Sequence, residues 1–348
     1  MIKAGIIGAS GYTGSELLRW LGQHPQVKVE FLSSRTLGGK KLADVHPQWA
    51  GWAPWSYEPQ DLAAMARRCD VVFAAVPNGA SMELARTFVE ADCYYIDLSA
   101  DFRLRDIKVY EQWYKQAHTA PDLNAKAAYG LPELFREEIK KAKLIGKPGC
   151  FPTGALLALA PLAAHKLIDM SQIIINAMTG VSGAGATPKP NFHFPHCTEN
   201  VQAYATVGHR HTPEIEQGLQ LLSGSGAVQV TFIPHLVPMS RGILTTVVCR
   251  PLADDWTTAA LIDLFRQYYA GEPFVVVLGE DRLPQTKAVA GSNFCHVTVR
   301  YDRRVGRIIV QSALDNLVKG SSGQAVQSMN ALFGLPETEG LMVPGLLP

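Results

Sequence analysis

The sequence lacks four things, and each lack removes a class of explanation. It has no excess charge of one sign: 32 lysines and arginines stand against 31 aspartates and glutamates, a formal net charge of +1. That leaves no electrostatic footprint for nucleic acid or an anionic membrane, although a local site for a small anion needs no global charge. It has no CxxC pair and no compact cysteine framework. The six cysteines, Cys69, Cys93, Cys150, Cys197, Cys249 and Cys295, are scattered, which argues against structural zinc and disulfide staples and for a reducing compartment. It has no apolar run that could span a bilayer, the longest, near 155–164, being short and containing Pro161. It has no readable secretory leader, since residues 1–7 are apolar but Gly8, Gly11 and Gly14 follow before such a segment can form. The expected location is the cytoplasm.

What is present is bulk. With 348 residues, 47% of them hydrophobic and 18% charged, the chain is too long for one ordinary core and suits two domains.

The chain is organised around Gly149-Cys150-Phe151-Pro152-Thr153-Gly154, followed by the apolar run Ala155-Leu156-Leu157-Ala158-Leu159-Ala160. Proline just inside a helix start and leucine-rich residues after it predict a helix whose first turn begins beside Cys150. A thiol there faces unpaired backbone N–H groups and the positive end of the helix dipole, which favour thiolate. Cys150 is thereby a candidate nucleophile. The alternative is a small buried apolar residue, the common fate of a lone cysteine.

Before it, strands and helices alternate. The apolar residues 2–7 run into Gly8-Ala9-Ser10-Gly11-Tyr12-Thr13-Gly14, and residues 15–21 then have helical spacing. Strand, glycine turn and helix make a dinucleotide site: Gly8 for the tight turn, Gly11 for close approach of a pyrophosphate, Gly14 for helix packing, with Ser10 and Thr13 as hydroxyl donors. The alternative is a turn without a ligand. A second strand, residues 27–32, ends in Ser33-Ser34-Arg35. The acid that takes a ribose 2′-hydroxyl in NAD sites is missing there, and Arg35 suits a 2′-phosphate, so NADP is the expected cofactor; alone, Arg35 reads equally as a solvated loop residue. The strand at 70–76 ends at Pro77-Asn78-Gly79, where a cofactor would cross the sheet edge, and the strand at 94–98 leads to Arg103, a candidate for holding a carboxylate or phosphate. Arg103 can equally pair with Asp101 or Asp106 and fix the turn. A last short strand, 143–146, delivers Cys150.

After Cys150 the pattern changes to successive strands, near 173–178, 228–233, 243–249, 274–278, 296–300 and 307–311, with helices near 212–222 and 257–269. The change marks a domain boundary near Gly149. The expected fold is therefore α/β: a Rossmann-type doubly wound parallel sheet over 1–148, a second α+β domain with a mixed sheet over 149–314, and a C-terminal helix within 315–348 returning to the first. For a partner to the thiol, the ten histidines offer one cluster, Gly208-His209-Arg210-His211-Thr212-Pro213-Glu214. Thr212, Pro213 and Glu214 read as a helix start, placing His211 just before it, and Glu214 can orient the imidazole. The alternative is a pair of surface histidines. His193, His196 and Cys197 lack the further ligands of a zinc set, so no metal is expected.

Together the motifs resemble the N-acetyl-γ-glutamyl-phosphate reductases of arginine biosynthesis. The likeness is carried by the glycine loop, by Asp97-Leu98-Ser99-Ala100-Asp101-Phe102-Arg103, Ala128-Tyr129-Gly130-Leu131-Pro132-Glu133, Pro148-Gly149-Cys150-Phe151-Pro152-Thr153, Gly180-Val181-Ser182-Gly183-Ala184-Gly185, His209-Arg210-His211-Thr212-Pro213-Glu214, Pro238-Met239-Ser240-Arg241-Gly242 and Asp315-Asn316-Leu317-Val318-Lys319-Gly320. These follow the family's order and span nearly the whole chain. Many members carry asparagine where Lys147 stands and a basic residue where Ala186 stands; Lys189 is a candidate substitute for the second. The resemblance implies NADPH-dependent reduction of the acyl phosphate to N-acetylglutamate 5-semialdehyde with release of phosphate, through a thioester on Cys150, with His211 as acid/base and His209 in reserve. It further implies cofactor contacts at Gly8, Ser10, Gly11, Tyr12, Thr13, Gly14, Ser34, Arg35, Pro77, Ser182, Gly183, Asn316 and Gly320, substrate contacts at Arg103, His209, Glu214 and Arg241, and a homodimer or homotetramer. The competing readings are reduction of aspartyl or aminoadipyl phosphate, and an NADP-binding redox sensor without catalysis.

Overall fold

The computed structural model describes residues 1–347, apart from the side chain of Asn191. The chain forms two compact units, one of Met1–Pro148 with Ser321–Leu341, the other of Gly149–Gly320 with the residues from Met342 onward.

The first unit is built on seven strands: β1 (Ile2–Ile7), β2 (Val27–Ser33), β3 (Tyr57–Glu58), β4 (Val71–Ala74), β5 (Tyr94–Asp97), β6 (Ala128–Tyr129) and β7 (Leu144–Gly146). All pair in parallel, in the order β3-β2-β1-β4-β5-β7-β6. The central strands read as unbroken apolar runs because both faces are covered; every residue of β4 is buried. The order reverses between β1 and β4, and in such sheets ligands bind beyond the carboxyl ends of the strands at that point. The helix Tyr12–Leu21 follows β1 at once and buries Leu17, Leu18 and Leu21.

Short elements at the margins were not anticipated from the sequence. β3 and β6 are two residues each, too short to show an alternation, and the helix Pro132–Ile139 is announced only by Pro132 at its first turn. The helix Gly323–Leu332 also lies in this unit, where Gln327 Nε2 donates to Glu133 Oε1 at 2.9 Å and His24 Nε2 pairs with Asn330 Oδ1 at 3.0 Å. Within the 315–348 stretch where the sequence suggested one helix, residues 318–322 instead form a wider π-type turn.

The second unit carries β8 (Ile168–Thr179), β9 (Gln202–Ala203), β10 (Val230–Leu236), β11 (Ile243–Pro251), β12 (Val275–Val277), β13 (Cys295–Asp302) and β14 (Arg307–Leu314). Their order is β12-β13-β14-β11-β8-β10-β9. β8 runs parallel to β10 and antiparallel to β11, so the sheet is mixed.

One face of this sheet is covered by the helix Cys150–Ala164. All residues of that helix from Phe151 to Ala163 are buried, which explains why its sequence is apolar all round rather than striped. The opposite face is open: Ile174 and Met178 of β8 are 44% and 42% exposed, and their β11 neighbours in register are Val248 and Leu244. Among the described residues no helix is long and apolar enough to cross a membrane.

Candidate active site

The glycine loop of the first unit divides its work among three residues. Gly8 has φ +80°, and a Cβ there would lie 2.2 Å from the Ala75 carbonyl oxygen. At Gly14 a Cβ would meet the Gly8 oxygen at 2.3 Å, so only glycine lets the helix close on the turn. Gly11 meets nothing nearer than 3.8 Å and leaves its backbone open. An open backbone at the start of a helix is what a pyrophosphate needs, and these residues fit one. Ser10 Oγ lies 3.1 Å from Ser34 Oγ, tying the loop to the end of β2. Tyr12 and Thr13 open the helix, Tyr12 being half exposed, and Arg35 stands exposed after β2.

Asp101 organises the loop after β4, a role the sequence did not reveal. Its buried carboxylate accepts from Gly79 N at 2.7 Å, Ser81 N at 3.0 Å and Tyr110 Oη at 2.8 Å. This fixes the turn that presents exposed Pro77. The acid is separated from the turn by more than twenty residues, and only the parallel pairing of β4 with β5 brings them together. Burial and the neighbouring Asp101 push the Asp97 carboxyl up, to about 6. Arg103 is also buried. Its Nε donates to the Lys147 carbonyl at 2.8 Å and its Nη2 to the Leu98 carbonyl at 3.3 Å. Lys147 is itself buried, while Ala186 and Lys189 are exposed.

In the second unit Cys150 is the first residue of its helix, half-buried, with Gly149 as the cap. Glu214, buried in the first turn of the helix Thr212–Ser223, accepts from Gly149 N at 2.8 Å through Oε1. His211 caps that helix, and a Cβ added at Gly149 would stand 2.5 Å from His211 Nε2. Gly320 closes another side, since a Cβ there would meet Cys150 Cβ at 2.8 Å. Phe151 packs edge-on against His209 and His211, whose ring centroids are 4.9 Å apart.

The two imidazoles differ chemically. His209 Nδ1 accepts from His211 N at 3.1 Å, and burial, helped by Arg210, pushes His209 down to about 4. It is neutral at pH 7. Tyr204 packs on His209, and burial, together with the nearby Cys150, pushes its hydroxyl up.

Around this site the loops are cross-linked. Asn316 Nδ2 donates to Ser182 Oγ at 3.0 Å and Asn316 Oδ1 accepts from Gly242 N at 2.8 Å, while Gly183 beside them is exposed. Arg241 Nη1 pairs with Asp315 Oδ2 at 3.4 Å. The residues singled out from the sequence thus gather into two sets. Gly8 through Arg103 lie in the first unit; Cys150, Ser182, Gly183, His209, His211, Glu214, Arg241, Asn316 and Gly320 lie in the second. Among the described residues no group of three His, Cys, Asp or Glu side chains is placed to hold a metal ion.

A parallel sheet with a glycine loop at its switch point, joined to a unit that presents a thiol at a helix start beside an imidazole, defines an oxidoreductase of the dinucleotide-binding class. Two family models match the chain: the semialdehyde dehydrogenase NAD binding domain over residues 3–142 and the semialdehyde dehydrogenase dimerisation domain over residues 150–316. The chain is 50% identical over 347 residues to the N-acetyl-gamma-glutamyl-phosphate reductase of Pelotomaculum thermopropionicum, covering all of this chain and 99% of that one. It is 50% identical to the reductase of the same name from Desulforudis audaxviator, with both chains fully covered. The chain belongs to the semialdehyde dehydrogenase family, within its N-acetyl-γ-glutamyl-phosphate reductases. Its fold is shared with aspartate semialdehyde dehydrogenase II of Vibrio cholerae, at TM-score 0.71 and 19% identity over 96% of this chain and 98% of that one. The aspartate semialdehyde dehydrogenase of Candida albicans, solved with NADP, gives TM-score 0.71 at 17% identity over the same shares.

Proposed function

We propose that this protein reduces N-acetyl-γ-glutamyl phosphate to N-acetylglutamate 5-semialdehyde with release of phosphate, using NADPH, in arginine biosynthesis. The observation that carries the reading is the position of Cys150 at the first residue of a buried helix, with the amide of its cap fixed by Glu214 and the ring of His211 against that cap.

Backbone N–H groups at the helix start stabilise the Cys150 thiolate. The thiolate attacks the acyl carbon, an S–C bond forms, and the C–O bond to phosphate breaks with its electron pair leaving on phosphate. When bound, NADPH supplies the hydride that takes the thioester to the aldehyde level. His211 holds the proton on the substrate oxygen and takes it back as the C–S bond breaks, which returns the thiolate and frees the semialdehyde. The downward push on His209 and its use as an acceptor from His211 N favour His211 for this proton and leave His209 as a neutral neighbour.

Gly8, Ser10, Gly11, Tyr12, Thr13 and Gly14 would hold the pyrophosphate, Ser34 and Arg35 the 2′-phosphate, with Pro77, Ser182, Gly183, Asn316 and Gly320 as further cofactor contacts. Arg103, His209, Glu214 and Arg241 are the proposed substrate-binding residues. We further infer a homodimer or homotetramer assembled through the open face of the second unit's sheet, and a cytoplasmic location.

An assay of NADPH formation from NADP and phosphate tests the reaction. N-acetylglutamate semialdehyde should be turned over and aspartate semialdehyde should not; the reverse preference would overturn the substrate. Arg35→Asp should shift the cofactor preference toward NAD, and an unchanged NADP/NAD ratio would remove Arg35 from the site.

A further inference from the structure

The carboxylate of Asp315 is fully buried and is fixed before Arg241 reaches it. Residue 315 follows β14 directly; its Oδ1 accepts from Leu317 N at 2.8 Å and Val318 N at 3.2 Å, and its Oδ2 accepts from Gly291 N at 2.7 Å. Three backbone N–H groups from two segments leave this carboxylate little freedom to follow a mobile partner. Arg241 Nη1 comes to Oδ2 at 3.4 Å, and 34% of the arginine side chain stays exposed while none of the aspartate does. The adjoining residue is held by the adjoining anchor, Gly242 N donating to Asn316 Oδ1 at 2.8 Å. Two consecutive residues of one turn are thus held by two consecutive residues of another.

A guanidinium suits a carboxylate because its planar fork can donate two parallel bonds, but only if the long side chain is aimed. The substrate proposed above keeps one free carboxylate, on its α-carbon. We propose that Asp315 is a positioning residue that aims Arg241 at the α-carboxylate of the substrate, an inference that rests on the reading of Arg241 as a substrate-binding residue. Its contribution is to binding and orientation. It takes no part in the acyl transfer at Cys150.

Steady-state kinetics in the semialdehyde-oxidising direction test this with Asp315→Asn, Arg241→Gln and the double variant, alongside direct measurement of NADP affinity. Asp315→Asn should raise KM for the semialdehyde ~10-fold and Arg241→Gln more, with kcat within about threefold, as expected when binding shared by ground and transition states is lost. NADP affinity should not change, and the double variant should be no worse than Arg241→Gln alone, because the two residues act as one. If Asp315→Asn does not accumulate, Asp315→Glu keeps the anchoring charge, displaces the guanidinium by a methylene, and should give the same rise in KM. An unchanged KM in the Asp315 variants, with a raised KM in Arg241→Gln, would overturn the positioning role and leave Arg241 in place. An unchanged KM in Arg241→Gln would instead remove Arg241 from the substrate. A fall in kcat and NADP affinity together in Asp315→Asn would show a merely structural residue and also overturn the proposal.

Discussion

Gly149 reads as a spacer before Cys150, yet its missing side chain is what admits His211. Its backbone, at φ −62° and ψ 155°, suits any residue, so Gly149→Ala adds only the methyl that would stand 2.5 Å from His211 Nε2. The variant should fold and bind NADP normally but lose roughly 10- to 100-fold in kcat as the imidazole is displaced; unchanged turnover would show that His211 is not needed where it lies. A second residue-scale effect concerns acid. With His209 pushed from 6.5 to about 4 in the fold, the unfolded chain binds more protons between those values. Stability on this residue's account is therefore full above about pH 6.5 and falls as pH is lowered toward 4, by on the order of 2–3 kcal/mol. Urea midpoints at pH 7 and pH 4.5 should differ less in His209→Gln than in the natural protein, and an equal loss in both would show that His209 does not stay neutral in the fold. Cys150 was legible in the sequence because helix-start signals are local. The bond from Gly149 N to Glu214 was not, since 65 residues separate the pair and nothing local to either reports the other.

At the scale of elements, the helix Cys150–Ala164 carries a defect and its remedy. Pro161 has no N–H to give to the Leu157 carbonyl one turn back. Tyr269, just beyond the helix Thr258–Tyr268, donates its hydroxyl to that carbonyl at 2.5 Å. Tyr269→Phe should cost about 1–3 kcal/mol, because a buried acceptor is left without its donor, while kcat at saturating substrates stays unchanged; equal stability of the two proteins in urea would contradict this. The helix itself was legible, being long, apolar and marked at its start. The central strands of the first sheet were legible for a related reason, their unbroken apolar character, whereas the two-residue β3 and β6 were not. The turn over residues 318–322 was not, because its form answers to Gly320 packing on Cys150 and to Asp315 Oδ1 accepting from Leu317 N and Val318 N, contacts that no periodicity records.

At the scale of the whole molecule, the second sheet leaves Ile174 and Met178 exposed on one face, with Val248 and Leu244 beside them in register. An open apolar sheet face of this kind is suited to a second copy of the chain. Ile174→Asp should lower the mass measured by sedimentation to that of the single chain, and an unchanged assembly would place the interface elsewhere. The most direct test of the chemistry leaves NADPH out. Mixed with acyl phosphate generated in place, the protein should release one equivalent of phosphate and gain the mass of an N-acetylglutamyl group on the peptide that contains Cys150, and Cys150→Ala should do neither. Phosphate release without an adduct, or an adduct on another cysteine, would contradict a thioester at this helix start.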